Sequence, residues 1–219
     1  MHPAVTCVII NFRTPDLLRR AVTSFRRQYP ALPLLLIDNG SDDESSFLLR
    51  SNQKEFPSAT EIILNRRNLH HGPAMHQALC FLRTGSALFL DSDCEVKKGG
   101  FVEAMLALAE QDPRIYAVGT LVSMNKRGFD VPPGENAFAY IRPVCMLLKR
   151  DLYLNLPPFR RHGTPCLENM KQAVASGLRL LHFPVEEFID HRGRGTAGPH
   201  GYRLGLRGKL NHLMNRFGL

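Results

Sequence analysis

The feature that most constrains the fold is an alternation of apolar runs and amphipathic segments over the first 91 residues. The apolar runs are VTCVII (5–10), LPLLLID (32–38), TEIILN (60–65) and ALFLD (87–91). Apolar runs of this length, rich in branched side chains, are typical of strands that are covered on both faces. The segments between them carry apolar residues at helical spacing. The alternation therefore predicts a single α/β domain whose mostly parallel sheet is flanked by helices.

The first helix is predicted to begin at Thr14-Pro15-Asp16. This triplet offers a capping hydroxyl, a proline at the first helical position and an acid at the positive end of the helix dipole. The apolar face then runs from Leu17 to Phe25, and arginines including Arg26 are expected to lie off it. A further helix is predicted over Pro73 to Arg83.

Polar residues follow each of the four predicted strands. They are Asn11 and Arg13, Asp38 and Asn39, Asn65, Arg66 and Asn68, and Asp91 and Asp93. In an open parallel sheet, ligands bind beyond the carboxyl ends of the strands. The sequence therefore predicts a polar ligand crevice at this edge of the sheet.

Composition excludes several classes of protein. The 219 residues, 44% of them hydrophobic, suffice for one substantial core. No apolar run reaches the roughly 18 residues that span a bilayer, and no signal peptide is expected at the N-terminus. The five cysteines are scattered and form no CxxC pair, which fits reduced thiols in a cytoplasmic protein.

The net charge of +8 is concentrated at the C-terminal end, because Asp190 is the last acidic residue. Without basic residues spread over a folded face or a recognisable motif, no nucleic-acid partner is expected. Residues 197–219 read as a basic amphipathic tail with apolar residues at helical spacing. Two interpretations stay open: peripheral contact with the cytoplasmic face of an anionic membrane, or packing onto the domain or a second copy.

Six segments, in this order, resemble family 2 glycosyltransferases with the GT-A fold. They are VTCVIINFRTPDLLRRAVTSF, LLLIDNGSDDES, RNLHHGPAMHQAL, LFLDSDCEV, PVCMLLKRDLY and FPVEEFIDHRGRGT. The NFRTPD stretch is similar to the rhamnosyltransferase-like branch. The resemblance covers 1–196 and implies a nucleotide-sugar-binding half over 1–98 and an acceptor-side half over 99–196. It implies inverting transfer of a sugar from a UDP- or dTDP-linked donor to a hydroxyl acceptor, assisted by Mn²⁺ or Mg²⁺.

The resemblance also implies which residues bind the metal and the diphosphate. Asp91-Ser92-Asp93 stands where the family has its DxD motif, with Asp93 on the metal and Asp91 on the ribose or the metal's waters. His191 would complete the metal shell, and Arg194 would lie near the diphosphate, where guanidinium groups pair with phosphate oxygens. From the residues alone, the same motif could be a solvated turn after a strand.

The nucleoside contacts follow from the same resemblance. Asp38 is implied to accept a hydrogen bond from the base N3–H, with Asn39 beside it; alone, it could form an Asx-turn. Asn11 and Arg13 lie where the family's loop wraps the base and ribose. Asn68 lies where the sugar-nucleotide is held.

The segment RNLHHGPAMHQAL departs from the family pattern at two positions. His70 stands where glycine is common, and His76 where asparagine is common. Together with His71, these imidazoles leave a transition-metal site open as an interpretation, although surface or donor-pocket roles are favoured.

The catalytic base is the second departure. An inverting transfer needs a carboxylate to accept the proton of the acceptor hydroxyl. Counting back from Gly177, Pro165 and Cys166 occupy the positions of the family's acidic pair. Glu168 is the nearby carboxylate and is expected either to act as the base or to stabilise a helix N-terminus; His162 is a weaker substitute.

Three functions therefore remain at the level of the sequence. The favoured one is a glycosyltransferase of surface glycan assembly, acting on a glycan or lipid-linked acceptor. A catalytically impaired nucleotide-sugar-binding partner subunit is the alternative that the missing acidic pair prompts. A sugar nucleotidyltransferase is disfavoured because IINFRTPD lacks the expected glycine-rich phosphate loop.

Overall fold

The structure, a computed structural model, describes residues 4–160 and 163–192. In chain order the strands are β1 Val5–Asn11, β2 Leu34–Asp38, β3 Thr60–Leu64, β4 Ser86–Leu90, β5 Cys94–Val96, β6 Ile115–Met124, β7 Phe138–Lys149, β8 Arg179–His182 and β9 Ile189–His191. The helices are α1 Pro15–Gln28, α2 Ser45–Glu55, α3 His71–Phe81, α4 Phe101–Glu110, α5 Arg150–Tyr153 and α6 Leu167–Ala175, with a 3₁₀ turn at Val185–Glu187. Within these residues, no helix is long and apolar enough to cross a bilayer.

The strands form a seven-stranded sheet in the order β3-β2-β1-β4-β7-β6-β8. β3, β2, β1 and β4 are mutually parallel, β7 is antiparallel to both β4 and β6, and β8 is parallel to β6. Only β7 therefore runs against the others. The predicted single α/β domain with a mostly parallel, helix-flanked sheet is confirmed.

The core is divided by the sheet into two apolar layers. One layer packs side chains of α1, α2 and α4 against the sheet, including Leu18, Leu49 and Met105. The other packs α3, α5 and α6 against the opposite face, including Leu79 and Met170. Because both faces are covered, the strands are continuous apolar runs rather than alternating ones.

Helix α1 begins at Pro15 as predicted, but two of its side chains behave differently from expectation. Thr14 makes no side-chain cap, because its hydroxyl instead donates to Asn11 Oδ1 at 2.7 Å. Arg26 is buried rather than off the apolar face, with 5% of its surface exposed. Its guanidinium donates to the carbonyls of Leu32 and Ala59 at 2.7 and 2.8 Å, so it ties the helix to the loops that precede β2 and β3.

A second, two-stranded sheet lies next to the end of β4. β5 and β9 pair antiparallel, with Cys94 opposite His191 and Val96 opposite Ile189. This pairing joins residues almost a hundred positions apart. It brings the C-terminal part of the described chain directly beside the acidic residues that follow β4.

Candidate active site

The acidic motif occupies a tight turn between β4 and β5. The backbone amide of Asp91 donates to the backbone carbonyl of Val144 at 2.9 Å, which extends the pairing of β4 with β7. The amide of Cys94 then donates to the carbonyl of Asp91 at 3.1 Å and closes the turn. Asp91, Ser92 and Asp93 are therefore held at the carboxyl edge of the sheet, where ligands of open α/β sheets bind.

Asp93 and His191 are brought together by the pairing of β5 with β9. The imidazole Nε2 of His191 lies 3.3 Å from Asp93 Oδ1, and the amide of Arg192 lies 3.3 Å from the carbonyl of Asp93. The hydrogen bond with Asp93 raises the pKa of His191. The structure thus places next to each other two residues that the sequence predicted as metal ligands.

Asp91 lies close to an imidazole of α3. Burial, followed by the charge of Asp93, raises the pKa of Asp91 to about 7. The Nε2 of His71 lies 3.7 Å from Asp91 Oδ1, but burial lowers the pKa of His71 to about 4. His71 is therefore uncharged at neutral pH and does not stabilise the charged form of Asp91.

The donor atoms at this turn suit a hard divalent cation. Ligand atoms of Asp93, Cys94 and His191 lie within 4.8 Å of one another. Burial raises the pKa of Cys94 well above its usual value, and its thiol points to the carbonyl of Val144 at 3.6 Å. Because the Cys94 thiol is engaged with that carbonyl, the remaining donors are carboxylate oxygen and imidazole nitrogen. Such a set fits Mn²⁺ or Mg²⁺ better than a thiophilic ion.

Asn11 and Asp38 meet at the ends of the neighbouring strands β1 and β2. Asn11 is fully buried, and its amide donates to Asp38 Oδ1 at 3.4 Å. The other carboxylate oxygen of Asp38 accepts the amide of Ser41 at 3.1 Å. The two residues lie together as predicted, but Asn11 has no exposed surface, so its side chain holds Asp38 in the described structure.

Arg13 lies at the rim of the site rather than in it. Its backbone has a φ of 57°, and its guanidinium pairs with Asp42 at 2.8 Å. Its amide donates to the hydroxyl of Ser41 at 2.9 Å, which ties the end of β1 to the turn after β2.

Asn39 and Asn68 are hydrogen-bonded to each other at 3.1 Å. Asn39 is 2% exposed and also accepts hydrogen bonds from Asn65 and from the amide of Leu69, both at 3.1 Å. Gln77 exchanges two further bonds with Asn65 at 2.9 Å. The sequence predicted that Asn39, Asn65 and Asn68 lie at one edge of the sheet, but not that their side-chain amides bind mainly one another. The signal for this in the sequence is the clustering of asparagines after neighbouring strands.

Glu168 lies in the first turn of α6, where the sequence predicted it. Its carboxylate lies 3.4 Å from Lys171 Nζ, and 54% of the side chain is exposed. Cys166, at the position implied for the acidic pair, is fully buried, and burial raises the pKa of its thiol. A protonated, buried thiol cannot accept a proton, so Cys166 is not the base. His162, Arg194 and the tail over 197–219 lie outside the described residues.

The three predicted histidines do not form a metal site. His76 Nδ1 lies 2.8 Å from the hydroxyl of Tyr153, which in turn accepts the amide of Phe159 at 3.1 Å. His71 faces Asp91, and His70, which precedes α3, has a φ of 69° and a ψ of 167°. Among residues 4–160 and 163–192, the cluster of potential ligand atoms is the one at Asp93, Cys94 and His191.

Solved structures of glycosyltransferases share this fold. They include the mannosyltransferase PcManGT from Pyrobaculum calidifontis in complex with GDP-Man and Mn²⁺, with a TM-score of 0.66 and 14% identity over 84% of this chain and 55% of that chain. GalNAc-T7 with UDP, GalNAc and Mn²⁺ has a TM-score of 0.67 and 16% identity over 86% of this chain and 43% of that one. TarS 1-349 from S. aureus has a TM-score of 0.62 and 12% identity over 85% of this chain and 60% of that one.

The chain spans about half the length of these structures. At such identities the likeness concerns the fold alone. No curated protein sequence gives a significant match. The sequence profile described as glycosyl transferase family 2, however, matches residues 6–174, which is most of the chain. The protein therefore belongs to glycosyltransferase family 2 and has the GT-A fold.

Proposed function

We propose that the protein is a metal-dependent, inverting glycosyltransferase that moves a sugar from a UDP- or dTDP-linked donor to a hydroxyl acceptor. The observation that carries the proposal is the juxtaposition of Asp93 and His191, at 3.3 Å, beside the second carboxylate of Asp91. Two similar structures support the proposal, since one is a complex with GDP-Man and Mn²⁺ and the other a complex with UDP, GalNAc and Mn²⁺.

Asp93 and His191 would hold the divalent ion, with Asp91 bound to it directly or through water. Bound there, the ion would offset the negative charge that gathers on the β-phosphate as the sugar leaves. The charge of Asp93 raises the pKa of Asp91, and a cation bound there would relieve this repulsion, which supports this role.

On the nucleoside side, Asp38 would accept the N3–H of uracil or thymine at the end of β2. Asn11 holds the Asp38 carboxylate through the 3.4 Å bond and so acts by orienting it. Arg13 lies at the rim, where it would approach the ribose. Asn68, in the segment between β3 and α3, and Arg194, outside the described residues, would contact the sugar diphosphate.

Transfer would proceed by direct displacement. The acceptor oxygen attacks the anomeric carbon from the face opposite the diphosphate, and its proton passes to the carboxylate of Glu168. The bond from the anomeric carbon to the β-phosphate oxygen breaks, and its electron pair remains on the phosphate. Configuration at the anomeric carbon is thereby inverted.

The biological setting is inferred from the family resemblance of the sequence. The NFRTPD stretch supports a place in the rhamnosyltransferase-like branch, with transfer of a hexose or deoxyhexose. We propose a cytoplasmic enzyme of surface glycan assembly that uses a glycan or lipid-linked acceptor. Residues 1–196 would form the catalytic domain, and the basic tail over 197–219 would contact the membrane surface or a second copy.

The test is release of nucleoside diphosphate from UDP-, dTDP- and GDP-sugars with and without Mn²⁺. The wild-type protein is expected to turn over at least one donor in the presence of Mn²⁺, and Asp93→Asn is expected to abolish turnover. Asp190→Asn, an exposed acid in the same β9 strand as His191, is the matched control and should retain activity. Equal turnover by wild type and Asp93→Asn would overturn the proposal.

A second candidate function is a donor-binding partner subunit without transfer activity. It is favoured by one observation, the buried Cys166 where the family's acidic pair is expected. The two functions differ in a single measurement. Metal-dependent binding of a nucleotide sugar with no turnover of any donor would establish the partner subunit.

A further inference from the structure

The side chain of Asn39 is the centre of a hydrogen-bond network that joins β2 to the segment between β3 and α3. Its Nδ2 donates to Asn68 Oδ1 at 3.1 Å and to the carbonyl of His70 at 3.4 Å. Its Oδ1 accepts from Asn65 Nδ2 and from the amide of Leu69, both at 3.1 Å. Every donor and acceptor of this buried amide is thus used within the protein.

The residue after Asn39 allows this segment to approach closely. Gly40 has a φ of 82°, and a Cβ added to it would lie 2.4 Å from the carbonyl carbon of Arg67 and 2.7 Å from the amide nitrogen of Asn68. These distances are too short for any side chain. The turn after β2 and the 65–70 segment therefore pack backbone against backbone.

The 65–70 segment leads directly into the part of α3 that faces the acidic motif. His71, the first residue of α3, lies 3.7 Å from Asp91. On the nucleoside side, the backbone amide of Asn39 donates to the backbone carbonyl of Asn11 at 2.8 Å, and Asp38 is the preceding residue. Asn39 therefore connects the nucleoside side of the crevice with the carboxylate side.

We propose that Asn39 is a positioning residue rather than a nucleotide contact: it holds the 65–70 segment and the start of α3 in the geometry that receives the sugar diphosphate. This inference rests on the proposed function. Without the amide, the segment would have to be ordered when the donor binds, and the lost conformational freedom would weaken binding. The effect should fall on the diphosphate and sugar and spare the nucleoside, because Asp38 keeps its bonds to Asn11 and Ser41.

Two measurements on Asn39→Ala test the proposal. The first is tryptic cleavage after the exposed Arg66 and Arg67, mapped by mass spectrometry. Cleavage should be about tenfold faster than in the wild type if Asn39 restrains the segment. The second compares the dissociation constants of uridine and of UDP with Mn²⁺, of which only that of UDP should rise, by about tenfold.

Matched variants separate a local from a general effect. Asn125→Ala removes an amide that accepts backbone N–H groups in another turn at 2.9 and 3.2 Å, and should change neither measurement. Asn65→Ala removes part of the same network, one strand farther from Asp38, and should reproduce the effect of Asn39→Ala. It serves as the test variant if Asn39→Ala does not fold.

Three results would overturn the inference. The first is cleavage of the 65–70 segment of Asn39→Ala at the wild-type rate, and the second is an unchanged dissociation constant of UDP. The third is an equal rise in the dissociation constants of uridine and UDP, which would make Asn39 part of the nucleoside pocket. Failure of the proposed function would look different, since the wild-type protein itself would not bind UDP in the presence of Mn²⁺.

Discussion

Replacing His70 with glycine should stabilise the protein. His70 has a φ of 69° and a ψ of 167°, a region of backbone space that is occupied almost entirely by glycine. The residue is kept there from both sides: its amide donates to Asn68 Oδ1 at 2.7 Å, and its carbonyl accepts the amide of Ala74 at 3.2 Å. The geometry also explains why glycine is common at this position in the family that the sequence resembles.

The magnitude follows from two opposing contributions. A side chain held in this region costs about 1 to 3 kcal/mol. Glycine gives back about 0.5 to 1 kcal/mol because it loses more backbone freedom on folding. The net stabilisation should be about 1 kcal/mol at the middle of these ranges and at most about 2.5 kcal/mol, which for a domain of this size raises Tm by about 2 to 10 °C.

The assay is urea unfolding followed by circular dichroism, supported by a thermal scan. His70→Ala is the control, because it removes the imidazole but keeps the Cβ that causes the strain. His70→Gly should be more stable than both wild type and His70→Ala. If His70→Gly were no more stable than His70→Ala, the backbone-strain argument would be wrong.

Three other outcomes are expected. Arg26→Met should lower the free energy of unfolding by about 2 to 5 kcal/mol in urea denaturation, because buried carbonyls lose their donors; an unchanged midpoint would contradict this. Glu168→Gln should lower kcat at least about a hundredfold with unchanged donor affinity; full activity would exclude Glu168 as the base. Hydrogen bonds from Arg114 hold the pKa of Asp112 well below its usual range, so Asp112→Asn should destabilise the protein at pH 7. That difference should shrink as the pH falls below about 4 in thermal scans; a pH-independent difference would contradict it.

The fold could be predicted because its signals are local. Strands β1, β2 and β4 are mainly apolar runs, and α1 shows helical spacing together with Pro15 at its first position. These patterns depend on neighbours within about ten residues. The pairing of β5 with β9 could not be predicted, since each strand has three residues and the register is set by tertiary packing.

Inside the crevice, the sequence indicated which residues meet but not how they are used. Asn11, Asp38, Asn39 and Asn68 do converge at the carboxyl edge. Whether a side-chain amide faces a ligand or another amide depends on how deeply the side chain is buried. The sequence shows an asparagine in either case. Arg26 was misjudged for a related reason, because the carbonyls that make its burial possible come from loops distant in sequence.

The sequence predicted the helical turn that carries Glu168 but not the surroundings of its side chain. Glu168 lies in the predicted helical turn, but its carboxylate is next to Lys171 at 3.4 Å on an exposed surface. Its orientation toward an acceptor depends on a molecule that the fold alone does not specify. The kcat of Glu168→Gln, compared with that of wild type, therefore tests the proposed role of this residue directly.

The most direct test of the central claim is Mn²⁺ binding in the presence of UDP, measured by electron paramagnetic resonance for wild type, Asp93→Asn, His191→Ala and Asp190→Asn. If Asp93 and His191 hold the ion together, wild type and Asp190→Asn should bind Mn²⁺ alike, and the other two variants should each bind at least about tenfold more weakly, as expected for loss of a ligand or of its orienting partner. Undiminished Mn²⁺ binding by both Asp93→Asn and His191→Ala would contradict the account.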